Sequence, residues 1–143
     1  MTDRWSDPDV AREILTSFRA WAVVGCSPDP SRPSHGVSRT LMQHGFEMIP
    51  IYPRDTTIHG QRTFPDLASA SAARPADRPI EVVDIFRASH RAGAHVDEAI
   101  DIGARAVWLQ LGVWDEAAAE RAHQAGLMVV MDRCPAIDIP ALL

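Results

Sequence analysis

The residues best suited to chemistry in this chain sit together in Gly25-Cys26-Ser27-Pro28-Asp29-Pro30-Ser31-Arg32-Pro33-Ser34-His35-Gly36, directly after the apolar run Ala22-Val23-Val24. An apolar strand that stops at a glycine and passes through a small, polar, proline-stiffened loop into a helix makes an anion site. The unpaired N–H groups of the helix's first turn and the positive end of its dipole both face the loop. Ser34 is expected to cap this helix, Gly36 to leave its first turn uncrowded, and Arg32 to offer forked donors to phosphate oxygens. The same strand, turn and helix also serve simple chain reversal in any α/β protein. The G-x-G-x-x-G spacing of ordinary dinucleotide sites is absent, because only Gly25 and Gly36 are present and the loop between them is longer.

Other chemistries are narrowed by what the chain contains. All fourteen of its Lys-or-Arg positions are arginine, which excludes a lysine nucleophile, a Schiff base and a Walker-type phosphate lysine. Cys26 and Cys134 lie far apart and form no C-x-x-C pair, so no zinc ribbon or thioredoxin-like motif is encoded. Cys134 falls in Asp132-Arg133-Cys134-Pro135 after an apolar run, where Arg133 could lower its pKa, although free cysteines are more often buried packing residues. Among six histidines, His90 and His95 are five residues apart, the wrong spacing for one face of a helix, and His44 and His123 sit near expected helix ends. No catalytic constellation and no metal site is expected.

These groups must be positioned by a regular scaffold. Val10, Ile14, Leu15 and Phe18 recur at helical spacing after Ser6-Asp7-Pro8, predicting a helix from about Asp9 to Arg19, and Trp21-Ala22-Val23-Val24 is the first strand. Three times a helix ends at glycine and hands over to an apolar strand, at Gly45, Gly103 and Gly126. Ile80 to Phe86 is a further buried-type strand, Ile58 to Phe64 a small turn or hairpin, Asp66 to Ala73 a short helix, and Ala72 to Pro79 a linker. The pattern predicts an α/β fold: a doubly wound, mainly parallel sheet of about five strands with helices on both faces. At 143 residues it is expected to form one domain, residues 1–143.

Such a sheet binds ligands at the carboxyl ends of its strands. The residues of interest are therefore Gly25-Cys26-Ser27, Tyr52-Pro53-Arg54, Phe86-Arg87, Gln110-Leu111-Gly112 and Asp132 to Pro135. Where NAD sites place an acid after the second strand, this chain has Arg54, a partner suited to a phosphorylated ribose. Both CoA and NADP meet that requirement, and a solvated surface arginine is the plain alternative. The net charge of −5, with both signs scattered, does not suggest a nucleic-acid surface, and no apolar run is long enough for a bilayer or signal peptide, so the expected location is cytoplasmic.

Four motifs in order carry a resemblance to a known family. They are Ala22-Val23-Val24-Gly25 with Pro28 to Ser34, then Asp84-Ile85-Phe86-Arg87, then Val107-Trp108-Leu109-Gln110-Leu111-Gly112, then Val130-Met131-Asp132-Arg133-Cys134-Pro135. From about Phe18 to Ile137 the chain resembles the small stand-alone CoA-binding proteins, which are similar to the CoA-binding domain of the succinyl-CoA synthetase alpha subunit. The resemblance implies a Rossmann-like fold that binds CoA with no chemistry attached. It would place Gly25, Ser27, Arg32, Ser34 and His35 around the CoA phosphates, and Tyr52, Pro53 and Arg54 at the adenosine end. It would set Phe86 and Arg87 on the other side of the nucleotide, and Gln110, Leu111 and Gly112 along the pantetheine arm. Tyr52 departs from the small polar residue, such as Asn, of many relatives. The phosphohistidine and the nucleotide-activating domain of the synthetases lie beyond the matched portion.

Three functions follow as expectations. The first is a non-catalytic CoA or acyl-CoA binding protein. The second is an NADP-binding oxidoreductase or redox sensor, and the third an accessory subunit of an acyl-CoA synthetase. A homo-oligomer or a synthetase partner is compatible with each, and a mixed disulfide between Cys134 and the CoA thiol is a chemical option.

Overall fold

The computed structural model describes residues 2–143. A 3-10 turn at Thr2–Trp5 is followed by α1 (Pro8–Ser17), β1 (Ala20–Val24), α2 (Pro33–Gln43) and β2 (Glu47–Ile51). A two-stranded hairpin, β3 (Thr57–Ile58) and β4 (Gln61–Arg62), and the short α3 (Leu67–Ala72) come next. The second half alternates β5 (Val82–Ile85), α4 (Ser89–Asp101), β6 (Ala106–Leu109), α5 (Glu116–Gln124), β7 (Met128–Val130) and α6 (Pro135–Leu142).

The main sheet has five strands in the order β2-β1-β5-β6-β7, and all its pairings are parallel. This is the doubly wound arrangement expected from the repeated helix, glycine and strand. Its strands are buried on both faces, so they read as apolar runs instead of alternating ones. Alternate residues separate into two cores. Ala22, Val24, Val83, Ile85, Val107 and Leu109 pack with α3, α4 and α5, whereas Trp21, Val23, Val82, Ala106, Trp108 and Val130 pack with α1, α2 and α6. Trp21 and Trp108 fill the second core with ring centroids 5.4 Å apart, and the Trp108 indole N–H donates to the Arg133 carbonyl at 2.9 Å.

Local chemistry sets the ends of the elements. Asp7 caps α1 by accepting from the Asp9 N–H at 2.8 Å, and Asp66 caps α3 by accepting from the Ser69 N–H at 2.8 Å. Gly45, Gly103 and Gly126 follow α2, α4 and α5 with positive φ, as the helix-to-strand handovers require. The turn of the β3–β4 hairpin, His59-Gly60, has positive φ at both residues, which suits the twist of a two-residue connection.

The winding reverses between β1 and β5. The chain leaves β1 over one face to reach β2, while the later strands build outward from β5 on the other side. The loops after β1 and β5 therefore part and leave a crevice at their carboxyl ends.

Candidate functional site

The crevice is a cleft of about 710 Å³, larger than depressions of about 250 Å³ along the β2 edge and about 400 Å³ beside Trp5. Gly25, Cys26 and Ser27 form its floor at the end of β1, and Arg32, Pro33 and Ser34 bring in the first turn of α2. Tyr52 and Pro53 border it after β2, and Phe86, Arg87 and Ala88 after β5. Gln110, Leu111, Gly112 and Val113 form the lip between β6 and α5. Eleven of the thirteen residues proposed from sequence thus come together around one cavity, while His35 and Arg54 do not line it.

Physical reasons account for those two. His35 is turned toward the hairpin, where its ring lies 4.4 Å from that of His59 and its carbonyl accepts from His59 Nε2 at 2.8 Å. Arg54 is exposed, in a loop held by its own carbonyl, which accepts from Thr63 Oγ1 at 2.6 Å. Both placements depend on the docked hairpin, a contact that no local motif announces.

The loop from Gly25 to Pro33 is braced internally. Ser27 Oγ accepts from the Asp29 N–H at 3.0 Å, and Asp29 Oδ1 accepts from the Ser31 N–H at 2.9 Å and hydroxyl at 2.8 Å. These bonds from Ser31 hold the Asp29 carboxyl below its ordinary pKa. The expected cap is not where the sequence placed it. Arg32 is the N-cap residue, Pro33 the first helical residue, and the buried Ser34 accepts from the Ser27 N–H at 3.0 Å. Proline's preference for the first helical position was the available signal. No side chain caps α2 and its first turn carries no acid; Pro33 has no N–H and the His35 N–H donates to the Arg32 carbonyl at 3.0 Å, so of the first three helical residues it is Ser34 whose N–H, with the helix dipole, is left to face an outside anion. Gly36 meets nothing within 4 Å of an added Cβ, so crowding does not explain it.

The opposite side carries unused polar atoms. Gln110 is only 7% exposed, yet its Oε1 has no hydrogen-bond partner, and the buried Nε of Arg87 has none either. Buried polar groups are nearly always paired, so an acceptor and a donor left open beside a cavity point to a polar ligand. Cys26 is fully buried, and that burial pushes its thiol up to about 11, with Asp84 adding to the shift. Cys134 is also buried, and the Arg133 guanidinium beside it is taken by Asp138 in two bonds of 2.7 and 2.9 Å. Among the described residues there is no cluster of three or more His, Cys, Asp or Glu side chains able to hold a metal, and His95 and His44 are engaged with Glu98 and the Thr40 carbonyl. No described helix is long and apolar enough to cross a membrane.

Comparisons with known proteins bear on the family and the fold. Over 123 residues the chain is 32% identical to the uncharacterized protein YneT of Bacillus subtilis (strain 168), covering 86% of this chain and 87% of that one. A hypothetical protein from Pyrococcus horikoshii OT3 superposes with a TM-score of 0.84 at 34% identity, over 98% of this chain and 94% of its own. A dinucleotide-forming acetyl-coenzyme A synthetase from Ca. Korarchaeum cryptofilum shares the fold at 24% identity and a TM-score of 0.67, over 80% of this chain and 26% of its own. The family described as the CoA binding domain matches residues 19–140, nearly the whole chain, and the protein belongs to that family.

Proposed function

We propose that the protein binds CoA or an acyl-CoA in the cleft at the carboxyl ends of β1 and β5, without transforming it. The observation that carries this reading is the pairing of an uncapped α2 N-terminus, flanked by Arg32, with the unpartnered Arg87 Nε and Gln110 Oε1 across one cavity. The first pair of features suits phosphate. The second suits the amide groups farther along a pantetheine chain, which offer both a donor and an acceptor. A volume of about 710 Å³ is in the range of cofactor sites, and the lining is a mixture of apolar surface and a few convergent polar groups.

The non-catalytic part of the proposal is supported by the lining itself, which contains no carboxylate or imidazole. Its one thiol, Cys26, keeps its proton at neutral pH. General acid–base and nucleophilic catalysis both need a group poised near the working pH. A cytoplasmic binder acting alone, in a homo-oligomer or beside a synthetase fits the same cleft.

Mass spectrometry of small molecules released from fresh protein, with thermal-shift titration against CoA, acetyl-CoA, NADP and ADP-ribose, tests the reading. CoA species at a hundredfold excess over Kd should raise Tm by roughly 5–10 °C. An equal or larger response to NADP or ADP-ribose would reject it in favour of a redox cofactor or a generic nucleotide.

A further inference from the structure

The five-stranded sheet has two edges, and they are closed in different ways. At β2 the outward-facing Pro50 has no N–H to offer, and its carbonyl accepts from the Phe64 N–H at 3.0 Å. The next outward donor, the Tyr52 N–H, is taken by the Phe64 carbonyl at 2.9 Å. At the other edge β7 reads Met128-Val129-Val130, with neither a proline nor a charge to discourage pairing. The Met128 N–H donates to the Arg105 carbonyl at 2.9 Å, so by alternation Val129 and Met131 turn their backbone groups away from β6. The Met131 N–H is met by the Trp5 carbonyl at 2.6 Å. Among the described residues nothing bonds to the backbone N–H or carbonyl of Val129, which borders the open depression of about 400 Å³ beside Trp5.

The segment that supplies Trp5 lies outside residues 19–140, the part matched by the family, and is fastened by contacts of its own. Trp5 is 3% exposed and meets the ring of His123 edge-on, with centroids 5.9 Å apart. Arg4 lies over Trp5 with its guanidinium carbon 4.1 Å from the ring centroid, and it grips Glu120 through two bonds of 2.6 and 3.1 Å. The Ser6 carbonyl accepts from Arg133 Nη1 at 2.9 Å. The Arg4–Glu120 pair is about half exposed and adds little, so the buried Trp5 is the main anchor.

The backbone groups of this edge are complementary to themselves. An antiparallel pairing about a two-fold axis through Val129 sets the N–H of each Val129 against the carbonyl of the other. The same axis sets each Met131 N–H against the Leu127 carbonyl of the other copy. The Leu127 N–H is already spent on the Ala122 carbonyl at 2.9 Å, so that carbonyl is what Leu127 has to offer. Because β7 is uncharged, two copies meet there without like charges facing each other, although each chain has a net charge of −5. By taking the Met131 donor, Trp5 removes half of this self-complementary set.

We propose that Arg4-Trp5-Ser6 is a strap that guards the β7 edge, and that the edge, once the strap is released, pairs antiparallel with a second copy of this chain. The pairing is isologous, so it closes at two copies and leaves the cleft at the carboxyl end of the sheet outside the contact.

The test compares the full-length wild type with Arg4→Ala/Trp5→Gly, which loses both fastenings to α5, by sedimentation equilibrium and amide hydrogen exchange. The double variant should show twice the wild-type mass at the same concentration. Adding Val129→Pro, which removes an outward donor and no bond to β6, should return it to the wild-type mass. In the wild type the Val129 amide should exchange quickly and the Met131 amide slowly, and in the double variant exchange at Val129 should slow by about tenfold. An unchanged mass in the double variant would overturn the inference, as would assembly beyond two copies or a dimer that survives Val129→Pro. If the double variant does not fold, the wild type decides alone: a fast Val129 beside a slow Met131 supports the guarded edge, and a protected Val129 overturns it.

Discussion

A methyl group on Gly25 would lie 2.4 Å from the carbonyl oxygen of Phe86, and Gly25 holds φ +78. The end of β1 and the end of β5 approach each other here more closely than any side chain permits, at the floor of the crevice. Gly25→Ala meets both the left-handed penalty and a backbone clash that no rotamer can relieve. It should cost about 2–4 kcal/mol in chemical denaturation. Gly36→Ala is the internal control, because its Cβ meets nothing within 4 Å and α2 gains a better helix former, worth roughly 0.5–1 kcal/mol. A similar loss in both variants would show that neither packing argument holds.

Asp84 gives a pH dependence whose sign can be worked out. It sits in mid-sheet between Val23 and Trp108, fully buried, and neither carboxylate oxygen has a partner. Burial raises its pKa well above 3.8, so the folded protein keeps a proton that the unfolded chain releases. Stability contributed by the neutral acid is complete below the unfolded pKa and falls as pH rises toward the folded one. Asp84→Asn is neutral throughout. Its Tm should exceed that of the wild type near pH 8, with the difference closing toward about pH 4. A constant difference across that range would refute the assignment.

The strands and the carboxyl end of the sheet were legible because parallel strands buried on both faces are predominantly apolar, with Asp84 the exception inside β5, and because glycine marks each return from a helix. Strand limits were less so. Ile80 to Phe86 reads as one buried-type strand, whereas the registered pairing with β1 and β6 covers Val82 to Ile85; the Phe86 N–H still donates to the Val24 carbonyl at 2.9 Å while its side chain borders the cleft. What could not be read was any contact made by docking. His35 and Arg54 have the right chemistry and adjacent positions, yet the hairpin draws His35 aside and leaves Arg54 in the solvent. The hydrogen bonds that join Gly112 to Asp132 and Ser89 span 20 and 23 residues, and no spacing rule announces them.

His35 and His59 couple the hairpin to the first turn of α2. A carbonyl only accepts, so the His59 Nε2 that lies 2.8 Å from the His35 oxygen carries a hydrogen. The His35 pKa is lowered by partial burial first, then by His59 and Arg39, with Asp29 opposing them. The folded state thus resists protonation at His35. Its contribution is present above 6.5 and is lost as pH falls below that value toward the folded pKa. In an NMR titration His35 should titrate below 6.5, and His59→Asn, which suits the φ of +52 there, should move it upward. An unmoved His35 would show that the imidazole pair is not coupled.

Gln110 should show stability and binding moving in opposite directions. Its Oε1 is buried without a partner, a desolvation cost of about 1–3 kcal/mol that the free protein carries continuously. Methionine has nearly the same length and shape and no such requirement, so Gln110→Met should unfold at a higher denaturant concentration than the wild type. If the amide is kept for a ligand, the same substitution leaves a donor on that ligand unmatched inside the cleft. CoA affinity should then drop by about tenfold while stability rises. A variant that is more stable and binds equally well would show that the ligand does not use the Gln110 amide. A less stable variant would show that the oxygen already has a partner in the free protein.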